Sequence, residues 1–448
     1  MYLKEIRLEN IKTYKDVTVD FFEDGKPRLW TGFLGPNGMG KSILLDCIAI
    51  SLVGEAAIRS ALPYPRDWVR YGSKYGVIET KIDISDEKET PGKKELLLRH
   101  YVTGKEGADI KDRYLSGRGI HSDYSNEDNQ LFEKIVGGYR NKGYLLCGYG
   151  PFRRLPRAGE RDPISQKEES PIRSSRIRTL FEEGLPVSEI ESWLVDLDYR
   201  SYKEGPEAKK MYDDALGFLQ KILPNAKFKE INKERQIIFE TADGLVQLNE
   251  LSDGYRSVVA WSANLVQHMF EAHPTNKLEG SGVVIVDEID VHLHPGAQRK
   301  IISHLRKLFP NVQFIFSSHS PFVAQSLSEN EIFRLERDIE TNQTIVKPIE
   351  ISFEGWRADQ ILTSDAFGLE TSRDETTEQE LKEYEQLITN IELGKASKEE
   401  IEKADNLKKE LFSKIPFSGE TERIRELEKQ VSGLQAALEK YKKNDSSQ

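Results

Sequence analysis

Apolar and polar residues alternate through Tyr2–Phe22, with Leu3, Ile6 and Leu8 and then Val17, Val19 and Phe21 in phase. That alternation predicts two short strands joined near Lys12–Lys15. Arg28–Leu34 predicts a third strand, running into a glycine-rich turn. Beyond the turn, Ile43, Leu44, Leu45, Ile48, Ile50 and Leu52 give a helix apolar on nearly every side, the pattern of one packed under a sheet. Strand patterns follow at Val77–Ile84, Glu95–Val102 and Leu145–Tyr149, helical ones after Arg173, and strands again at Gln236–Glu240, Val283–Asp287 and Gln313–Ser317. Ser188 to Glu191 fits a capping box that starts a helix carrying Trp193 and Leu194. The βαβ rhythm predicts a three-layer α/β head interrupted by a helical lobe. The expected divisions are residues 1–165, an inserted lobe at 166–235, the rest of the head at 236–350, and a helical tail at 351–448.

In the tail, Thr377 to Glu380 and Ser397 to Glu400 read as capping boxes and predict two helix starts. Ile424, Leu427, Val431, Leu434, Leu438 and Tyr441 alternate at spacings of 3 and 4, an a/d seam of about three heptads. Such a helix can pack on its own domain or pair with a second copy.

Composition narrows the class. With 64 Lys+Arg and 75 Asp+Glu the net charge is −11, and 38% hydrophobic residues suffice for a real core. Residues 351–448 hold 22 acidic and 15 basic residues, so −7 of the charge lies in the tail and −4 in the head. The acidity argues against a nucleic-acid-coated surface while leaving room for a local basic patch. Two cysteines, Cys47 and Cys147, exclude a disulfide framework and a cysteine-type zinc site. The first ten residues lack the apolar run of a signal peptide, and no stretch of ~20 apolar residues could span a membrane, so a cytoplasmic protein is expected.

The chemistry begins at Gly35-Pro36-Asn37-Gly38-Met39-Gly40-Lys41-Ser42, which fits G-x-x-x-x-G-K-[ST] between a strand and an apolar helix. Its glycines let backbone N–H groups of Asn37, Gly38, Met39 and Gly40 close around phosphate oxygens at a helix N-terminus. Lys41 would reach the β- and γ-phosphates and the Ser42 hydroxyl would ligate Mg²⁺. Val283–Glu288 predicts a buried strand ending in two acids, a costly arrangement unless it faces a cation. Asp287 suits the Mg²⁺ shell, and Glu288 suits the group that polarises the attacking water. Thirty-five residues before Asp287, Ser252 and Gly254 in Leu251–Ser257 open a helix; alone this is only a cap. His319, in Ser317–Pro321, stands 32 residues beyond Asp287, after a strand, where it could contact the γ-phosphate.

This ordered set resembles the ABC-type ATPase family, in its SMC-like branch of stand-alone bacterial ATPases. The resemblance implies that Gly35–Ser42 is the Walker A loop, Leu251–Ser257 the signature, Asp287–Glu288 the Walker B acids, Asp290–His294 the D-loop and His319 the switch histidine. It further implies ATP and Mg²⁺ as cofactors and a dimer of heads in which Ser252 and Gly254 complete the neighbour's site. Asp253 replaces the usual second signature glycine and Tyr255 the usual glutamine. Gly148–Arg153, Asp287–Pro295, Trp356–Thr363 and Phe367–Leu369 look like the ATPase subunits of Septu-type and retron-associated antiphage systems. That likeness implies an HNH-type nuclease partner.

The leading expectation is an Mg²⁺-dependent ATPase whose paired heads control a separate effector, a nuclease, in antiphage defence. The alternatives are a nucleotide-dependent assembly scaffold and an SMC-like DNA-repair ATPase; a transporter subunit fits least. Eight basic residues against four acidic ones in Arg153–Arg178 form the candidate nucleic-acid contact, equally readable as a phosphate-side or partner surface. His292 and His294 read as D-loop residues rather than a metal pair, and Asp196 with Asp198 as a solvated helix face rather than a nuclease site.

Overall fold

The computed structural model describes residues 1–61, 68–85, 92–104, 108–110, 113–115, 119–136, 144–153, 172–182, 187, 190–222, 226–242, 244–251, 253–273 and 279–414. The chain divides into two compact units, Met1–Gly368 and Leu369–Gln448. The first is built on a six-stranded sheet in the order Leu145–Tyr149, Gly282–Val286, Val312–Ser317, Trp30–Leu34, Ile332–Arg337, Thr344–Ile349. The first five strands run parallel and the last is antiparallel to its neighbour. Its four leading strands are buried at every position, as a parallel sheet covered on both faces requires.

One face packs under the helices Asp253–Ala272 and Pro295–Leu308, with Trp261, Leu265, Met269 and Leu305 among the contacts. The helices Ile190–Lys203 and Pro206–Ile222 join the same core through Leu194, Leu197 and Tyr212. A small antiparallel sheet, Lys227–Ile231, Ile237–Thr241 and Gly244–Gln247, follows them. The other face holds the helix Lys41–Ser51, whose Leu44, Leu45 and Ile48 meet Val283, Ile285 and Ile315 below. Above that helix lies a five-stranded antiparallel sheet in the order Gly119–Ser122, Glu95–Thr103, Tyr75–Asp83, Tyr2–Ile11, Tyr14–Asp20. It contributes Leu3, Ile6, Leu8, Leu96 and Leu98 to the same core. The Gln313 side chain, fully buried, bridges the two sheets like a strand: it accepts from the Leu3 N–H (2.8 Å) and donates to the Leu3 carbonyl (3.0 Å).

The expected α/β class with a strand–loop–helix start is therefore present, and each strand anticipated from alternation falls within a few residues of an observed one. The third begins at Trp30 rather than Arg28. In the second unit the helices Glu375–Glu392 and Lys398–Lys414 fold back on each other through Leu381, Tyr384 and Ile388 against Ala404 and Leu411. The second helix has the anticipated box, Ser397 Oγ accepting from Glu400 N–H (3.2 Å) and the Glu400 carboxylate from Ser397 N–H (2.7 Å). The first starts earlier than expected: Asp374 caps it, accepting from Thr377 N–H at 3.0 Å, because a carboxylate one turn upstream outcompetes the threonine. The heptad seam at Ile424–Tyr441 lies outside the described residues.

Candidate functional site

Parallel pairing brings three strand ends side by side. Val286 pairs with Phe316, and Phe316 with Gly32, so the Gly35–Ser42 loop, the acid pair and His319 all leave the same carboxyl edge. In open α/β sheets that edge is where ligands bind.

The loop is shaped by glycine at two places of close approach. Gly35 (φ 138°) has no room for a side chain, because a Cβ would sit 2.4 Å from the Leu335 carbonyl oxygen. At Gly40 (φ 93°) a Cβ would meet Thr13 Oγ1 at 2.7 Å, and the Tyr14 hydroxyl donates to the Gly40 carbonyl at 2.9 Å. Gly38 also has positive φ (79°), while Asn37 is exposed and Met39 packs partly on the core beneath. Gly40 caps the helix Lys41–Ser51 with no side-chain acceptor, leaving the first-turn N–H groups directed at the loop. Lys41 is buried and its ammonium donates to the carbonyls of Gly35 (2.8 Å) and Pro36 (3.0 Å); Ser42 is exposed beside it.

Opposite stand the acids. Asp287 is buried and accepts from the Ser317 hydroxyl, and its own N–H donates to the Tyr149 carbonyl at 2.8 Å. Glu288 follows in the left-handed region, φ 49°, a strained setting for a non-glycine residue. It is held by its N–H to Ser317 Oγ (2.7 Å) and by its carbonyl, which accepts from Arg153 Nη2 (2.7 Å) and Val291 N–H (3.0 Å). Arg153 also donates to the carbonyls of Asp287 and Gly150. His319 donates its N–H to Asp290 Oδ1 at 3.3 Å, and Gln298 fixes the turn by donating to the carbonyls of Asp290 and Leu293.

These groups feel one another. Burial lowers the Lys41 pKa, opposed by Asp287, Glu288 and Asp290. Burial raises Glu288, helped by Asp287 and Asp290. His319 is lowered by burial and then by Lys41, against the pull of Asp290 and Asp287. Arg153 is pushed down by burial to about 10, which leaves it charged at neutral pH. A glycine cradle, a buried ammonium, a helix start without a side-chain cap and a buried acid opposite an exposed hydroxyl suit a nucleoside triphosphate with Mg²⁺.

The structure thus gathers Lys41, Asp287, Glu288 and His319 with the loop residues. Ser252 lies outside the described residues, and Gly254 sits in the first turn of Asp253–Ala272. Sequence reading missed Ser317, Asp290 as an acceptor, and Arg153. The basic stretch needs correction at its ends. Arg153 and Arg176 are buried, the latter paired with Glu271 at 3.0 Å, so neither is placed to meet DNA, while Arg178 is part-exposed and pairs with Glu182 on its own helix. Residues 154–171 of that stretch lie outside the described residues. His294 caps Pro295–Leu308 through its Nδ1, and among the described residues no three His, Cys, Asp or Glu side chains form a metal cluster. Asp196 is exposed and within ion-pair distance of Arg200 on one helix face. Among the described residues no helix is long and apolar enough to cross a membrane.

Known proteins resemble this chain at modest identity. The chain is 26% identical over 446 residues to Septu protein PtuA of Bacillus mycoides (strain KBAB4), across 99% of this chain and 54% of that one. It therefore spans about half the length of that relative. It is 24% identical to the Retron Ec83 probable ATPase of Escherichia coli, across 74% of this chain and 71% of the relative. An SMC head solved with the C-winged helix domain of ScpA superposes over 78% of this chain and 98% of that one, at 16% identity and a TM-score of 0.46. The likeness to Septu and retron ATPases expected from the motifs thus has counterparts of both kinds. A family model matches residues 31–324, loop through histidine, and by that match the chain belongs to the family described as "AAA domain, putative AbiEii toxin, Type IV TA system".

Proposed function

We propose that the chain is an Mg²⁺-dependent ATPase subunit of an antiphage defence system of the Septu or retron kind, whose turnover controls a separate nuclease. The observation carrying this reading is the meeting of the Gly35–Ser42 loop, the Asp287–Glu288 pair and His319 at one sheet edge. The names of the relatives supply the setting. The loop N–H groups and Lys41 would hold the β- and γ-phosphates, and Ser42 with Asp287 would hold Mg²⁺. When bound, Mg²⁺ offsets the charge that develops on the phosphates. Glu288, whose backbone is held by Ser317 and Arg153, would orient and polarise the attacking water, and His319 would face the γ-phosphate. Two heads would pair so that Ser252 and Gly254 of each close the site of the other.

Phosphate release by the purified chain with Mg²⁺ and ATP tests the chemistry. Lys41→Ala and Glu288→Gln are each expected to lower turnover by about 10²-fold or more, with Glu288→Gln accumulating an ATP-bound assembly in light scattering. Normal turnover by Glu288→Gln would sink the assignment. No hydrolysis at all, with assembly indifferent to the γ-phosphate, would leave the scaffold reading in its place.

A further inference from the structure

We infer that Arg153 is a positioning residue for Glu288: its guanidinium grips the peptide groups on both sides of that residue and so aims the carboxylate. The inference rests on the reading of Glu288 as the group that orients water.

A side chain leaves its Cα in a direction fixed by the two peptide planes that flank it. Around Glu288 those planes carry the carbonyls of Asp287 and Glu288, and both accept from Arg153, one from each Nη. The same guanidinium holds the Gly150 carbonyl at 2.9 Å, so the fork is anchored to the end of the neighbouring strand Leu145–Tyr149. Arg153 is 2% exposed and its guanidinium lies over the Trp261 ring, 5.9 Å from the centroid, which fixes the other side. The φ of 49° at Glu288 persists only if its surroundings over-determine it. Ser317 holds the N–H of Glu288, and Arg153 is the part of the lock that holds carbonyls. A planar two-pronged donor can bridge two carbonyls in fixed geometry, whereas a lysine ammonium is a single point.

The experiment compares full-length wild type, Arg153→Lys, Arg153→Met, Glu288→Gln and the Arg153→Met/Glu288→Gln double variant, with thermal melting to confirm folding. A misplacement of about 1 Å at a reacting group can cost on the order of 10²-fold. Both Arg153 variants are therefore expected to lose about 10²-fold in kcat while the KM for ATP stays within about threefold. In the Glu288→Gln background Arg153→Met should cost less than about twofold more, because the group it aims is already gone. Arg153 variants with kcat within about twofold of wild type would overturn the inference. An equal loss with and without Glu288, or unfolding of both variants, would overturn it too by assigning Arg153 a structural role. Absence of hydrolysis in the wild type would instead defeat the functional reading, so the two failures are told apart.

Discussion

Ser317 joins the acid pair with a single oxygen. Its hydroxyl donates to the Asp287 carboxylate while accepting from the Glu288 N–H, and its carbonyl accepts from Ile289 N–H at 3.0 Å. Removing that oxygen in Ser317→Ala strands the part-buried Glu288 N–H and takes a donor from the buried Asp287 carboxylate, a loss of about 1–3 kcal/mol. Urea unfolding should register that loss, and phosphate release should slow because Asp287 and Glu288 are no longer tied; an unchanged turnover would argue against the coupling. Local backbone geometry was legible: Gly35 and Gly40 take the positive φ that the glycine-rich turn calls for, and Lys41 opens the apolar helix behind it. The role of Arg153 was not, because a basic stretch from Arg153 to Arg178 reads as an exposed contact for nucleic acid, phosphate or a partner. Its burial is decided by the pairing of Tyr149 with Val286, which joins segments more than 130 residues apart.

At the scale of elements, alternation and apolar runs located the central strands because each is buried on both faces or in strict phase. Shorter elements such as Gly119–Ser122 and Lys227–Ile231 offer too few positions for a pattern to stand out. Helix starts were legible only where one capping residue has no rival, as at Ser397; near Thr377 the upstream Asp374 wins. The helical pair of the second unit depends on one narrow seam. Leu381, wholly buried there, is expected on replacement by alanine to cost about 2–5 kcal/mol. Hydrogen exchange across 375–414 should then accelerate sharply, and unchanged protection would mean that the seam is not what holds the helices.

For the whole molecule, the net charge of −11 is weighted toward the tail, and buried titratable groups tune stability within the head. His100, 2% exposed on the strand Glu95–Thr103, is pushed down to about 4, chiefly by burial and against the pull of Glu55 and Asp123. The unfolded chain takes up that proton near pH 6.5, whereas the folded chain refuses it until about 4. Its neutral form thus supports the fold fully above about pH 6.5, and the support fades toward pH 4 by about 3 kcal/mol. Burial lowers His268 as well, in the same direction. Urea midpoints at pH 7.5, 6 and 5 should fall accordingly, and His100→Gln should flatten the trend; an unaltered slope would remove His100 from the account. The helix Lys41–Ser51 gives the molecule a further property. It is sealed between a sheet built from the first 122 residues and a second one with strands as late as Thr344–Ile349, so nothing local can stabilise it alone. The Gly35–Ser42 loop at its start therefore depends for its setting on segments from both ends of the head. On the proposed reading, nucleotide capture would depend on the completed head, and a chain truncated before Val312 is expected to retain no ATP analogue in equilibrium dialysis.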